Sequence, residues 1–128
     1  PAPRIRVLVI DNEPAVLRGM QALLAGWSCD VEVAADPESA LAAARRARPD
    51  LVVVDFHLDH GATGLAVLER LAEAVGPVPA IVVTADHSEA VRDAVRAAGA
   101  QLLLKPLRPL ALKSLMARLV AARTRAAS

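Results

Sequence analysis

The side chains able to do chemistry in this chain stand at the ends of apolar runs. Asp11-Asn12-Glu13 follows Ile5 to Ile10, Asp55 follows Leu51 to Val54, Thr84 follows Ala80 to Val83, and Lys105-Pro106 follows Gln101 to Leu104. Each run reads as a buried strand. In a parallel sheet the C-terminal strand ends share one edge, and ligands bind there. Acids, a hydroxyl and an ammonium drawn from most of the sequence are thus expected to meet in one pocket. That combination suits phosphoryl transfer, in which a carboxylate attacks and cations hold the charge that gathers on the phosphoryl oxygens.

The elements that must position these groups alternate in the manner of an α/β fold with a parallel sheet. Between the runs, Pro14 to Ala25 reads as a helix with Val16, Met20, Leu23 and Leu24 on one face, and Asp30 to Ala34 as a short second strand. Asp36 then caps a helix that has Pro37 in its first turn and runs to about Ala47. Asp11-Asn12-Glu13 is expected to cap the helix at Pro14 in the same way. Leu51 to Asp55 is continuously apolar up to its acid, so it should be covered on both faces. An aspartate ending such a strand is costly without a purpose, which favours a chemical role for Asp55. A loop from His57 to Thr63 leads to a helix over Gly64 to Val75, and further helices are expected over Ser88 to Ala98, closed by Gly99, and over Leu110 to Arg123. Leu112, Leu115, Met116 and Leu119 should face inward on the last helix, and Arg123 to Ser128 should fray.

Bulk properties narrow the function. With 128 residues the chain is expected to form a single domain, its core over about residues 4–122 and its ends short and flexible. Apolar residues are 55% of the chain and aromatics 2%, so alanine and branched aliphatics must fill the core. The net charge of +1 comes from dispersed basic residues, which argues against direct nucleic-acid binding. No apolar run reaches the roughly 20 residues of a membrane span. The single Cys29 cannot form an internal disulfide, fits a reducing compartment and reads as a small core residue. A cytoplasmic domain without membrane contacts of its own is expected, with a membrane-anchored parent protein compatible. The chain opens on Pro1 rather than methionine, which leaves open both a segment cut from a longer protein and a stand-alone protein.

Five β/α units with Asp11-Asn12-Glu13, Asp55, Thr84 and Lys105-Pro106 in that order resemble the receiver domain of two-component response regulators over about residues 4 to 122. The strings V-I-D-N-E-P, D-F-H-L-D-H-G-A-T-G-L and V-V-T-A-D are further similar to receivers attached to hybrid sensor histidine kinases. The resemblance implies a flavodoxin-like, doubly wound five-stranded sheet of order 2-1-3-4-5 with five helices. It implies that Asp55 accepts a phosphoryl group from a phosphohistidine in a Mg2+-dependent reaction. Asp11, Asn12, Asp55 and the backbone carbonyl of His57 would hold the metal, and Lys105 and Thr84 would contact phosphoryl oxygens. A cis Lys105-Pro106 peptide is also implied. The implied partner is a histidine kinase or a histidine phosphotransfer domain, with a homodimer through the last two helices as a further expectation. Beyond its own phosphorylation and dephosphorylation, the chain is not expected to act as a stand-alone enzyme.

Departures from the family pattern sharpen these expectations. Asn12 stands where the second acid is usual, which predicts weaker metal affinity unless Glu13 compensates; equal Mg2+ affinities for native protein and Asn12→Asp would defeat that expectation. Leu102 replaces the usual aromatic three positions before the lysine, and the loop after Asp55 lacks Met-Pro and carries its glycine, Gly64, one residue late. His57 and Asp86 lie two positions beyond Asp55 and Thr84, where they are expected to pair across the pocket mouth and tune hydrolysis of the acyl phosphate. His60 and His87 read as surface residues. Glu89, Arg92, Asp93 and Arg96 form a polar stripe, either a solvated face with internal pairs or part of a partner surface.

Two other functions compete. Asn12 and Leu102 suggest a pseudo-receiver that binds partners without phosphorylation. A small Mg2+-dependent phosphatase would carry its nucleophile after the first strand with a second acid two residues on, a pattern that Asp11 and Glu13 imitate poorly. No output domain is expected after the last helix, so the chain reads as a relay protein or a receiver excised from a larger kinase.

Overall fold

The computed structural model describes residues 4–127, with side chains described for residues 4–122. Five strands form one parallel sheet: β1 (Arg6–Ile10), β2 (Asp30–Ala34), β3 (Leu51–Asp55), β4 (Ala80–Thr84) and β5 (Gln101–Leu104). Their spatial order is β2-β1-β3-β4-β5, the expected doubly wound arrangement. The helices α1 (Pro14–Gly26), α2 (Pro37–Arg46), α3 (Gly64–Val75), α4 (Glu89–Ala97) and α5 (Pro109–Ala127) alternate with the strands, and a 3-10 turn spans Asp59–Gly61.

Side chains alternate across each strand, and both faces of the sheet are covered. Leu8, Ile10, Val52, Val54 and Val82 pack against Ala40, Leu41 and Ala44 of α2, Val67 and Leu71 of α3, and Val91 and Val95 of α4. Val7, Val9, Val53, Ile81 and Val83 point the other way, onto Leu17, Met20 and Leu24 of α1 and Leu112, Leu115 and Met116 of α5. This two-sided burial explains why β3 and β4 are continuously apolar until their last residues. At the outer edge, β2 carries Asp30 and Glu32, paired with Arg4 and Arg46 at 2.7 and 2.6 Å. Charges on an edge strand discourage pairing with another sheet.

Local signals set most helix boundaries. Asp36 accepts the Ser39 N–H at 2.8 Å beside Pro37, as its cap position predicts. Thr63 and Ser88 cap α3 and α4 through their hydroxyls. Gly99 has φ +74° just beyond α4, a left-handed conformation that glycine adopts without steric cost. Arg48, in the turn before β3, donates to the carbonyls of Val75 and Pro77 at 2.7 Å each and so closes the end of α3.

Several expectations are corrected. Asp11-Asn12-Glu13 does not cap α1 with a side chain: Glu13 is the N-cap without such a bond, because Asp11 instead accepts the Glu13 N–H at 2.8 Å. The buried face of α1 is Leu17, Met20 and Leu24, while Val16 and Leu23 are half-buried on its flank. The first strand begins at Arg6, α1 ends at Gly26 and α4 occupies Glu89–Ala97. The last helix begins at Pro109, which lacks an N–H the first turn does not need, and continues to Ala127. Of the expected short ends, residues 1–3 and 128 lie outside the described residues. Cys29 is buried, as expected, and burial pushes its thiol pKa up. Glu89, Arg92, Asp93 and Arg96 are exposed, and among the described residues no ion pair joins them.

Candidate functional site

Parallel register brings the strand-end groups to one edge. Ile10 aligns with Val54, Asp55 with Val83, and Thr84 with Leu104, so Asp11, Asp55, Thr84 and Lys105 follow one another across the sheet. Asp11, Asp55 and Thr84 are the buried polar residues among those described, at 4%, 9% and 1% exposure. Each has partners. Asp55 Oδ1 accepts the His57 N–H at 3.2 Å, and Asp55 Oδ2 accepts from Lys105 Nζ at 2.9 Å. The same ammonium lies 4.0 Å from Asp11 Oδ2. Thr84 Oγ1 accepts the Asp86 N–H at 3.0 Å, which leaves the hydroxyl proton to donate elsewhere.

Two adjoining carboxylates share one cation here. Burial, and then the neighbouring Asp55 charge, raise the Asp11 pKa against the opposing pull of the Glu13 N–H and Lys105. Burial pulls Lys105 the other way, but the hydrogen bond and charge of Asp55, with the charges of Asp11 and Glu13, outweigh it and hold the ammonium above the ordinary lysine range. The pocket is short of positive charge, and its free acceptors are oxygens. No group of three or more His, Cys, Asp and Glu side chains forms a metal cage among the described residues. Two carboxylates, an amide and a backbone carbonyl instead suit a hard cation that retains waters and shares ligation with a phosphate, as Mg2+ does. The Lys105-Pro106 peptide is cis.

The loop after β3 forms the other wall. His57 bridges to Thr63, the Leu58 N–H donates to Ala62 O at 3.0 Å, and Leu58 itself is buried. His60 and Gly61 adopt φ +60° and +73°, which turns the loop back sharply. At its end, Gly64 donates its N–H to Phe56 O at 2.8 Å, and a Cβ at position 64 would collide with the Asp55 carbonyl oxygen. Only glycine lets α3 start this close to the acid. At the rim, His57 Nε2 lies 3.5 Å from Asp86 Oδ2, so the structure does bring this expected pair together. Asp86 is held below the usual carboxylate range first by the Ser88 N–H, with His57 a smaller contribution.

Asp11, Asp55, Thr84, Lys105, His57 and Asp86 therefore converge, while Glu13 is exposed beside them. Sequence reasoning missed two residues. Gly64 stands out in the sequence only for its spacing, and its contact with the Asp55 backbone has no signal beyond a glycine at a helix start. Asp59 carries no distinguishing signal in the sequence, yet its Oδ1 accepts from Asn12 Nδ2 at 2.7 Å. An apolar groove of about 490 Å³ opens beside Asp55 and Lys105, walled by Val16, Met20 and Leu23 of α1 and by Pro106 and Leu107.

Comparison with known proteins agrees with this geometry. Residues 7–117 match the family model of the response regulator receiver domain. TcrX of Mycobacterium tuberculosis, described as a probable transcriptional regulatory protein, is 40% identical over 93 residues, 71% of this chain and 38% of that protein. The transcriptional regulatory protein TrcR of the same organism is 36% identical over 117 residues, 90% of this chain and 44% of that protein. The chain thus spans less than half the length of these regulators. The chemotaxis protein CheY4 of Vibrio cholerae superposes with a TM-score of 0.83 at 26% identity, covering 91% of this chain and 99% of that one.

Proposed function

The chain belongs to the response regulator receiver family of two-component signalling, and from that premise we propose that Asp55 is its phosphoacceptor. Receiver domains interact with histidine kinases or phosphotransfer proteins and use Mg2+ for phosphorylation. The observation that carries the assignment is Asp55 itself, nearly buried at the end of an apolar strand with Lys105 Nζ at 2.9 Å and a second acid beside it. In the proposed reaction an Asp55 carboxylate oxygen attacks the phosphorus of a phosphohistidine. The P–O bond forms as the P–N bond breaks, the imidazole leaves, and Asp55 carries an acyl phosphate.

Lys105 exchanges its contact with Asp55 Oδ2 for a phosphoryl oxygen, as a compact charge on a flexible stem. Thr84 donates its free hydroxyl proton to another phosphoryl oxygen. Asp11, Asn12 and Asp55, with the His57 backbone carbonyl, are the groups that would hold Mg2+. Bound there, the metal neutralises charge on the carboxylates and the phosphoryl group. His57 and Asp86 screen the mouth from attacking water. Their contact is part-exposed, so its effect on lifetime is small. His57→Ala is expected to shorten the acyl-phosphate lifetime a few-fold; an unchanged lifetime removes this role.

The groove between α1 and Leu107 supports a phosphohistidine-bearing partner, because its apolar wall leads a docked helix directly to Asp55. Relay from a histidine phosphotransfer domain and residence in a hybrid kinase both agree with that surface. Pairing of two copies would use the exposed stripe of α4 with α5, and sedimentation velocity before and after phosphorylation tests it. Acetyl phosphate with Mg2+, read by intact mass beside Asp55→Asn, tests the central reading. A Mg2+-dependent phosphoryl adduct absent from the variant is expected. No adduct on folded protein would instead support the phosphorylation-independent binding module to which Asn12 and Leu102 point.

A further inference from the structure

Resting on the reading of this pocket as a Mg2+ site, we infer that Asp59 is a positioning residue that orients the Asn12 amide so that its carbonyl oxygen is presented to the metal. A carboxylate can only accept, so the Asn12 group facing Asp59 Oδ1 at 2.7 Å must be the NH2. The amide plane then places its oxygen on the opposite side, and among the described residues nothing donates to that oxygen. An asparagine without such a partner would present either end to a cation, and its NH2 end would repel one. Charge-assisted hydrogen bonding to Asp59 removes that ambiguity.

Asp59 can do this because its loop is closed. The His57–Thr63 bridge, the Leu58–Ala62 bond at 3.0 Å and the Ala62 N–H to Asp59 O bond at 3.2 Å fix its backbone, and buried Leu58 anchors it. The left-handed His60 and Gly61 complete the turn immediately after it. Asp59 also returns a negative charge to a pocket in which an amide replaces an acid, and it does so from β3's loop rather than from β1's. The compensating carboxylate in contact with Asn12 is therefore Asp59, while Glu13 lies on the side of the groove.

The orienting role makes a prediction that added charge alone does not. Mg2+ affinity is measured by isothermal titration calorimetry on native protein, Asp59→Ala, Asn12→Asp and the double variant. With the Asn12 amide present, Asp59→Ala is expected to weaken Mg2+ binding about tenfold, as loss of a group that orients a ligand commonly does. With Asn12→Asp, no amide remains to orient, and removing Asp59 is expected to leave affinity unweakened or improve it by relieving repulsion. The side-chain amide resonances of Asn12 in metal-free protein should also shift on Asp59→Ala. Equal weakening in both backgrounds would mean a charge effect and would overturn the inference, as would no weakening in the native background. Native protein that binds no Mg2+ would overturn the metal reading itself and the inference with it.

Discussion

The two ends of the same strands use polar groups in opposite ways. At the N-terminal edge, polar side chains close backbone: Asp50 Oδ2 accepts the Arg6 N–H at 2.9 Å, and Arg48 takes two carbonyls at the end of α3. A groove of about 650 Å³ runs along α3 from Thr63 to this edge and the turn before β5, with Thr63 and Glu69 its only polar side chains. At the C-terminal edge the groove is smaller, yet it holds two buried acids and an ammonium that bond one another rather than complete secondary structure. Cavity size therefore does not mark the site; the direction in which parallel strands end does. The difference also divides the roles of the two ends, since adjoining buried acids burden stability and serve chemistry.

Perturbing each end in turn should separate those roles. The largest effect is expected from Asp55→Asn, which abolishes the phosphoryl adduct while the far-ultraviolet circular dichroism spectrum stays native. Lys105→Ala should slow phosphorylation by acetyl phosphate about 10²-fold, the loss typical of one group that stabilises a developing oxyanion, with quench-flow or intact-mass time courses as the measurement. A rate within twofold of native would remove Lys105 from the chemistry. Arg48→Ala should do the reverse: about 1 kcal/mol lost in urea unfolding, with the phosphorylation rate unchanged. A slowed rate there would show that the two ends are coupled. The smallest effect belongs to Asp36, held below the usual carboxylate range chiefly by the Ser39 N–H. A depressed folded pKa stabilises above the unfolded value, and the contribution fades as pH falls through the folded one. Asp36→Asn should therefore flatten the acid limb of the stability curve below about pH 4 and leave neutral-pH phosphorylation intact.

Much of this was legible in the sequence because two-sided burial leaves so little choice. β3 and β4 had to be apolar throughout, so an acid or threonine closing either run stood out, and the strand-end rule then gathered Asp55 and Thr84 with Lys105. Asp36-Pro37 likewise declared its helix start. The side-chain contact between Asn12 and Asp59 was not legible, because it spans 47 positions and depends on a left-handed turn at His60. Position 60 is a histidine, a residue that does not announce positive φ as glycine does. The inward face of α1 was shifted toward Val16 because Val16 and Leu17 are both apolar, and only packing against β1 and β3 distinguishes them. The cap expected from Asp11 failed for a related reason: the carboxylate turns back to the Glu13 N–H at the pocket wall instead of reaching into the helix.

Helix α3 is held at both of its ends. Its first residue, Gly64, abuts the Asp55 carbonyl with no room for a side chain, and Arg48 bonds the carbonyls of Val75, its last residue, and of Pro77 just beyond. In mechanical terms it is a strut abutted at one end and tethered at the other, which resists sliding along its own axis. A movement imposed at Asp55 would then reach the helix as rolling about its axis, because the seven-residue span from His57 to Thr63 is closed by its own hydrogen bonds.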